Sequence, residues 1–338
     1  MTTDTTDNRI ISSTFKPAGW LRNRHAQTIY PSLPWAWPDR LALRRESLEL
    51  VDGDVTAVDW VHASDDLPQT TPLLIILHGL ESSAESSYAR MLMQAATASQ
   101  WRCCVLHFRD CGDCRNRLPR RYHAGETNDL RCLLDTLQRN GNTGPLLAAG
   151  YSLGGNVLLK YLGESAAQSP LRAAAAVCVP LDLNECAEAL NHGFSKVYQH
   201  YLLKNMKRAV ARKFDRHTAA FDWQRTMRAR TFAEFDDAVT APLHGFVDKD
   251  DYYDRCSSVR YLHSIAKPTL IINALDDPFM TPDVIPHQDR VSEHVSIEVA
   301  DSGGHVGFIE GGTPWRPRFY LPRRLMEFFE PYAAQPGL

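Results

Sequence analysis

The chain has 338 residues, 44% of them hydrophobic and 23% charged, which is an ordinary composition for a globular protein that can bury a sizeable core. A net charge of −3 and a pI near 6.5 give no electrostatic basis for binding nucleic acid. The first residues are polar and acidic, unlike a signal peptide, and no apolar run reaches the roughly 18 residues of a membrane span, so we expect a cytoplasmic protein.

The apolar pattern predicts alternating strands and helices. Residues 1–44 form an irregular lead-in, and the alternating segments 46–51 and 55–61 predict a hairpin. Nearly continuous apolar runs, typical of parallel strands buried on both faces, follow at 73–77, 103–108, 146–150, 173–179 and 269–274, and a further strand is expected at 294–299. Helical spacing predicts helices at 86–98, 127–139, 154–163 and 321–332. The pattern therefore predicts an α/β fold with a mostly parallel central sheet and helices on both faces.

Residues 181–265 interrupt this alternation. They hold two basic helical patterns, around 196–214 and 223–236, and no buried strand pattern. We therefore predict a core made of residues 1–180 and 266–338, with residues 181–265 inserted as a mostly helical cap.

The strongest local motif is Gly150-Tyr151-Ser152-Leu153-Gly154, which fits G-x-S-x-G between a predicted strand and a predicted helix. In that position the motif forms a sharp turn that presents a serine hydroxyl above the sheet of an α/β-hydrolase fold. A side chain at either glycine would clash with the adjoining strand or helix. We predict that Ser152 is the nucleophile of this turn.

A serine hydroxyl needs a base to accept its proton, and in this fold the acid and then the histidine follow the serine in the chain. Asp276 and Asp277 come after the strand at 269–274, and His305 ends a glycine-rich loop after the strand at 294–299. We predict that His305 is the general base. Spacing does not separate Asp276 from Asp277 as the acid that orients it, and we favour Asp277.

Two backbone N–H groups are expected to form an oxyanion hole. Leu153 directly follows the predicted nucleophile, and Leu80 lies in the loop HGLESS after the strand at 73–77. We predict that both donate to the oxyanion, and we assign His78 a structural role at the end of that strand.

These motifs and others along the chain resemble the YheT-like branch of the α/β-hydrolase superfamily (AB hydrolase 4 family), esterases related to the ABHD-type lipid hydrolases of eukaryotes. The matching segments are FKP at 15–17, WLRN at 20–23, HAQT at 25–28, HGLESS at 78–83, FRDCGD at 108–113, YHAGET at 122–127, GYSLGGN at 150–156 and NALDDPF at 273–279. The resemblance implies a cytoplasmic bacterial hydrolase with a triad of Ser152, Asp277 and His305.

The chain departs from the family pattern at two positions. Family members usually have Gly where Asp110 stands and Ser where Ala124 stands. The eukaryotic relatives also carry an N-terminal membrane anchor; we expect none in this protein and therefore do not carry over a phospholipid substrate.

Three further patterns have simpler interpretations. Cys111 and Cys114 have C-x-x-C spacing without a second ligand pair, so we predict no metal site there. The basic run at 196–216 is expected to be a solvated cap-helix face, with Val197, Tyr201, Leu202, Met206 and Val210 packing inward. Attraction to anionic lipid or an acidic substrate is its alternative. The acidic cluster at 248–254 is expected to form a turn or a helix cap.

The sequence thus predicts a serine esterase that cleaves small-molecule carboxylic esters through an acyl-enzyme intermediate, without cofactor or metal. A thioesterase or acyltransferase could use the same triad. A non-catalytic homologue that binds a small ligand is the alternative from another class. Acyl-chain length and oligomeric state are not readable from the sequence.

Overall fold

The computed structural model describes residues 9–33, 36 and 39–334, and in these ranges nine strands form one sheet. The strands are β1 (Ile10–Ser12), β2 (Leu43–Glu49), β3 (Val55–Val61), β4 (Leu73–Leu77), β5 (Arg102–Leu106), β6 (Leu146–Tyr151), β7 (Leu171–Val177), β8 (Thr269–Ala274) and β9 (Val295–Ala300). Their order is β1-β9-β8-β7-β6-β4-β5-β3-β2. The pairs β2–β3 and β3–β5 are antiparallel and the other pairs are parallel. This confirms the predicted mostly parallel α/β sheet.

Helices cover both faces of the sheet. The core helices are α1 (Arg24–Ile29), α2 (Ser87–Ala98), α3 (Asn128–Arg139), α4 (Leu153–Ser165) and, at the C-terminal end, α11 (Tyr320–Ala333), which follows the small hairpin β10 (Ile309–Thr313) and β11 (Arg316–Phe319). The helices α3 and α4 pack on one face with Ile75 and Cys104, while α2 and α11 pack on the other with Ile76 and Cys103. Successive strand residues point to opposite faces, which is why β4 and β5 are apolar throughout.

The lead-in is more ordered than its sequence indicated. Strand β1 pairs in parallel with β9 at the edge of the sheet, and α1 begins after Asn23, whose side chain accepts the N–H groups of His25 and Ala26. Three residues are too short for β1 to produce a recognisable alternation, so its pairing with β9 could not be seen in the local pattern.

The segment from 181 to 265, which we call the cap segment, is helical. It contains α5 (Leu183–Ala189), α6 (Ser195–Lys213), α7 (Trp223–Arg228), α8 (Phe232–Phe235), a π-helical turn (Asp236–Thr240), α9 (Ala241–His244) and α10 (Lys249–Cys256). Its side chains form an apolar cluster of their own that packs on Leu80, Leu153 and Phe279 of the core. Among the described residues, no helix is long and apolar enough to cross a membrane.

Two details of the cap segment differ from the sequence pattern. The predicted helix at 223–236 is split, because Ala229 is extended and the Thr231 side chain accepts the Glu234 N–H to begin α8. The expected inward packing of Val197 and Tyr201 is wrong: these side chains are 55% and 63% exposed. By contrast, Asp248 caps α10 by accepting the Asp251 N–H at 2.9 Å, which agrees with the predicted cap role.

The π-helical turn buries a carboxyl group. Asp236 accepts the Thr240 hydroxyl at 2.6 Å and the Tyr253 hydroxyl at 2.8 Å. Burial raises the pKa of Asp236 from 3.8 to about 6 despite these two donors. The folded state therefore holds this proton more tightly than the unfolded state does.

We predict that Asp236 makes the free energy of unfolding fall as pH rises from about 4 to about 6. Over this range the carboxyl group ionises readily in the unfolded state, whereas in the folded state its ionisation places a charge in a buried site. Asp236→Asn should weaken that pH dependence and raise the free energy of unfolding at pH 7 by about 2 kcal/mol. Urea unfolding at several pH values measures both, with Asp250→Asn on the exposed side of α10 as the control. Equal pH slopes in the parent and Asp236→Asn would contradict this account.

Close approach of α4 to the end of β4 gives a second prediction. A Cβ atom on Gly154 would lie 2.4 Å from the Leu77 oxygen and 2.5 Å from the His78 oxygen. Gly154→Ala should therefore lower the free energy of unfolding by about 1–3 kcal/mol through overpacking. Gly19→Ala is the control, since a Cβ there meets nothing within 4 Å. Similar urea midpoints for the two variants would show that α4 can move away at little cost.

Candidate active site

Ser152 lies at the turn between β6 and α4, above the carboxyl ends of the strands. Its backbone has φ +51° and ψ −120°, a conformation that costs roughly 1–3 kcal/mol for a residue with a side chain. The Ser152 N–H donates to the Val177 oxygen at 2.8 Å, which ties the turn to β7. Gly150 is needed here because a Cβ atom would lie 2.5 Å from the Gly154 oxygen. The local geometry is the sharp strand-to-helix turn that the motif predicted.

His305 lies between Ser152 and Asp277. Its Nε2 atom is 3.0 Å from Ser152 Oγ, and its Nδ1 atom is 2.8 Å from Asp277 Oδ2. With Nδ1 protonated, the ring donates to the carboxylate and accepts from the serine hydroxyl. Asp277 is 2% exposed, and its second oxygen accepts the Phe279 N–H at 2.8 Å. The carboxylate is therefore held in one orientation toward the imidazole.

Asp276 forms its hydrogen bond with a different group from that bound by Asp277. Its Oδ1 accepts the Gly304 N–H at 2.9 Å, in the loop that leads to His305. Gly303 and Gly304 have φ values of +153° and +60°, which glycine adopts without strain. Burial raises the pKa of Asp276. The structure thus places Asp277 on the imidazole and Asp276 on the backbone of the histidine loop.

The loop after β4 leaves one N–H group open toward Ser152. The Gly79 N–H donates to the Tyr88 hydroxyl at 2.8 Å, and the Glu81 N–H donates to the Tyr122 hydroxyl at 2.8 Å. Between them, the Leu80 N–H has no acceptor within the described parts of the chain, and the same holds for the Leu153 N–H in the first turn of α4. Both residues line the cavity that contains Ser152. Their N–H groups can therefore donate hydrogen bonds to an anionic ligand atom there.

His78 fixes the start of this loop. Its Nδ1 is 2.7 Å from the Gly79 oxygen, and its Nε2 accepts the Phe108 N–H at 3.1 Å. Burial lowers the pKa of His78 to about 3, so the ring is neutral. The imidazole joins the ends of β4 and β5, as expected for a structural histidine.

Residues of the lead-in hold the histidine loop from the other side. The His305 N–H donates to Thr28 Oγ1 at 2.9 Å, and the Thr28 hydroxyl donates to the Arg24 oxygen at 2.8 Å. Gln27 is fully buried and bonds both the N–H and the oxygen of Ile309. In the sequence the segment HAQT belongs only to the family resemblance. In the structure its Thr28 binds the His305 N–H and so helps to position the histidine loop.

An aromatic stack connects His305 with the cap segment. The Phe279 ring lies 4.0 Å from the imidazole, centroid to centroid, at an interplanar angle of 23°. On its other side the Tyr198 ring of α6 lies 5.0 Å from Phe279. Phe279 belongs to the NALDDPF segment, but chain spacing gave no indication that its ring covers the histidine.

A cavity of about 750 Å³ opens beside Ser152. Its wall includes the side chains of His305, Phe279 and Thr28 and an apolar surface from the cap segment, made of Leu183, Ala187, Leu190, Leu202, Met206 and Phe232. Such a lining suits a hydrocarbon group of small-molecule size. Ser152, His305 and Thr28 add polar groups to the same wall, where they can orient the polar end of a ligand.

The thiol of Cys178 lies close to this group of residues. Cys178, Asp277 and His305 offer atoms within 4.8 Å of one another that could ligate a metal. However, the imidazole Nδ1 and the carboxylate are already hydrogen-bonded to each other, and burial raises the pKa of the Cys178 thiol well above its usual range. The thiol instead accepts the Val306 N–H at 3.2 Å. The donor set is therefore better suited to orienting His305 than to holding a cation.

Asp110 connects the cap segment with the loop after β4. Its φ is +66°, and its carboxylate accepts Arg121 Nε at 2.9 Å. Arg121 also donates to Glu81 at 2.8 Å, and Arg212 of α6 lies 3.5 Å from the Asp110 carboxylate. These ion pairs compensate the buried negative charge of Asp110 and hold Glu81 next to the Leu80 N–H.

Comparisons with known proteins agree with this architecture. Residues 72–312 match the family described as "alpha/beta hydrolase fold". The chain is 40% identical over 332 residues, covering 97% of both proteins, to the Escherichia coli (strain K12) protein named "Putative esterase YheT". It is 28% identical over 327 residues to "Phospholipase ABHD3" of Mus musculus, covering 95% of this chain and 79% of that protein.

Solved structures share the fold. An esterase of Pyrococcus furiosus, Pf2001, has a TM-score of 0.56 at 16% identity, covering 87% of this chain and 94% of that one. This degree of identity supports the fold alone. The family match over 72–312 and the 40% identity over nearly the whole length together establish that the chain belongs to the α/β-hydrolase family and, within it, to the YheT-like branch.

Proposed function

We propose that this chain is a serine hydrolase that cleaves carboxylic esters through an acyl-enzyme intermediate. The observation that carries the proposal is the hydrogen-bonded series Ser152–His305–Asp277, with distances of 3.0 and 2.8 Å, at the wall of an apolar cavity. The esterase and phospholipase names of its relatives support the same reaction class.

In the first half-reaction, Ser152 Oγ attacks the acyl carbon while His305 Nε2 takes the hydroxyl proton. Asp277 stabilises the imidazolium that forms, through the Nδ1–H bond. The carbonyl oxygen becomes an anion and accepts the N–H groups of Leu80 and Leu153, each worth roughly a hundredfold or more in rate. His305 then protonates the leaving alcohol, and the acyl group remains on Ser152.

In the second half-reaction, water takes the place of the alcohol. His305 removes a proton from the water, which attacks the acyl-enzyme, and the same N–H groups stabilise the second oxyanion. The proton then returns to Ser152 as the acid leaves. No cofactor enters either step. Thioester hydrolysis and acyl transfer to an alcohol share the acyl-enzyme, so product analysis with added alcohols separates them from ester hydrolysis.

We also propose that the cap segment, residues 181–265, acts as a cap over a core of residues 1–180 and 266–338. Its apolar cluster packs on Leu80 and Leu153, and α6 contributes Leu202 and Met206 to the cavity wall. The cap would hold the acyl group while the core supplies the reacting groups.

We predict that a fluorophosphonate probe forms a single adduct with the protein, seen by intact mass, and that Ser152→Ala forms none. Turnover of a short acyl ester should fall at least about 10⁴-fold in this variant, because the remaining groups contribute only binding and oxyanion stabilisation. Ser302→Ala, on the same loop as His305, is the control for nonspecific labelling. An adduct that persists in Ser152→Ala would disprove the assignment of the nucleophile.

The two neighbouring acids should behave differently. Asp277→Asn should lower kcat by roughly 10³–10⁴-fold, because the amide favours the wrong imidazole tautomer. Asp276→Asn should lower kcat less than about tenfold, since its amide oxygen can still accept the Gly304 N–H. Thermal unfolding of both variants reports whether the loop is intact. A larger kcat loss in folded Asp276→Asn than in Asp277→Asn would reverse the assignment.

A further inference from the structure

The helix α6 presents two different surfaces to solvent. Beside the cavity it carries the exposed apolar side chains Val197 and Tyr201, and Phe194 directly precedes its first residue; the three side chains are 55%, 63% and 49% exposed. Val197 and Tyr201 also line the cavity that contains Ser152. Next to them on the helix, Lys196, His200, Lys204 and Arg208 point into solvent. The residues of this mixed surface, from 194 to 208, extend over roughly 20 Å along the helix.

A groove of about 1040 Å³ adjoins the cationic side of α6. Its lining includes Lys196, Lys204, Lys207, Arg208, Arg228 and Arg230, and none of its lining residues is acidic. These cations form no ion pair within the described ranges of the chain. Lys207 donates a hydrogen bond to the backbone oxygen of Ala229. The segment 195–230 has ten Lys and Arg against two Asp in a chain of net charge −3. Positive charge is therefore concentrated in this part of the cap segment.

The cavity itself has the opposite electrostatic character. Among the residues that the structure describes, its lining includes the acids Glu81, Glu85 and Asp236 and contains no Lys or Arg. A soluble anionic substrate would need cations inside the cavity. Here the cations lie outside the cavity, next to exposed apolar side chains at its mouth. The negatively charged part of a ligand would therefore stay outside with the cations, while its apolar part enters the cavity.

We propose that α6 is a docking surface for an anionic lipid surface. The α6 docking surface consists of the apolar Phe194, Val197 and Tyr201 and the cationic Lys196, Lys204 and Arg208. Apolar side chains enter the interface and cations pair with the headgroups, as in helices that lie on membranes. Contact at the cavity mouth gives Ser152 direct access to acyl esters carried by that surface, an extension that rests on the proposed esterase function.

Vesicle flotation tests the docking directly. The full chain carrying Ser152→Ala is mixed with vesicles of phosphatidylcholine with or without phosphatidylglycerol, so that the readout is binding and not turnover. We expect flotation with the anionic vesicles only, and weaker flotation as salt screens the charges. The double variant Lys204→Glu and Arg208→Glu should lower the partition coefficient at least about 25-fold, roughly fivefold for each cation lost.

The matched control reverses two exposed arginines elsewhere, Arg290→Glu and Arg316→Glu, with the same change in net charge. It should bind like the parent. Val197→Ser with Tyr201→Ser should also weaken flotation, and this effect should persist at high salt because it is apolar. Circular dichroism and thermal unfolding confirm that each variant is folded.

Three results would overturn the proposal: no flotation with anionic vesicles, equal flotation with neutral vesicles, or equal loss in the control and the α6 variants. Binding to an acidic protein without binding to vesicles would also overturn it. Since the assay uses an inactive variant, failure of the esterase proposal shows instead as unlabelled Ser152 in a protein that still floats with vesicles.

Discussion

The site depends on the close contact between the first turn of α4 and the end of β4. Because Gly154 has no side chain, the helix starts directly above the carbonyl groups of Leu77 and His78. That contact sets Ser152 in its left-handed turn and brings the Leu153 N–H near the loop that carries Leu80. The proposed nucleophile and both proposed oxyanion donors are thus positioned by one packing constraint, without any long side chain that could change rotamer.

The histidine needs a second set of constraints, because it comes from a loop and not from a regular element. Thr28 accepts its backbone N–H, Asp276 accepts the neighbouring Gly304 N–H, and Phe279 covers the ring. These contacts limit the imidazole to one orientation between Ser152 and Asp277. The lead-in and the loops after β8 and β9 therefore act together, although they are far apart in the chain.

The core of this arrangement could be predicted from local sequence. The strands β4 and β8 begin and end as their apolar runs indicated, and the order of Ser152, Asp277 and His305 follows from the fold. Contacts between distant segments could not be predicted in this way. Nothing local to Thr28 or to strand β1 shows a partner nearly 300 residues away. The adjacent acids Asp276 and Asp277 fit the motif equally well, and only the course of the loop separates them.

For helix α6, the sequence pattern predicted the helix but not which of its apolar side chains are buried. Helical periodicity groups Val197, Tyr201 and Leu202 on related positions, but it cannot show which of these side chains meets another part of the protein. Leu202 and Met206 face the cavity, whereas Val197 and Tyr201 lie at its mouth and remain exposed. Tyr198 of the same helix lies 5.0 Å from the Phe279 ring, and Phe279 covers the imidazole of His305. Helix α6 of the cap segment and His305 are thus joined through two aromatic rings, a contact between distant segments that no local pattern indicates.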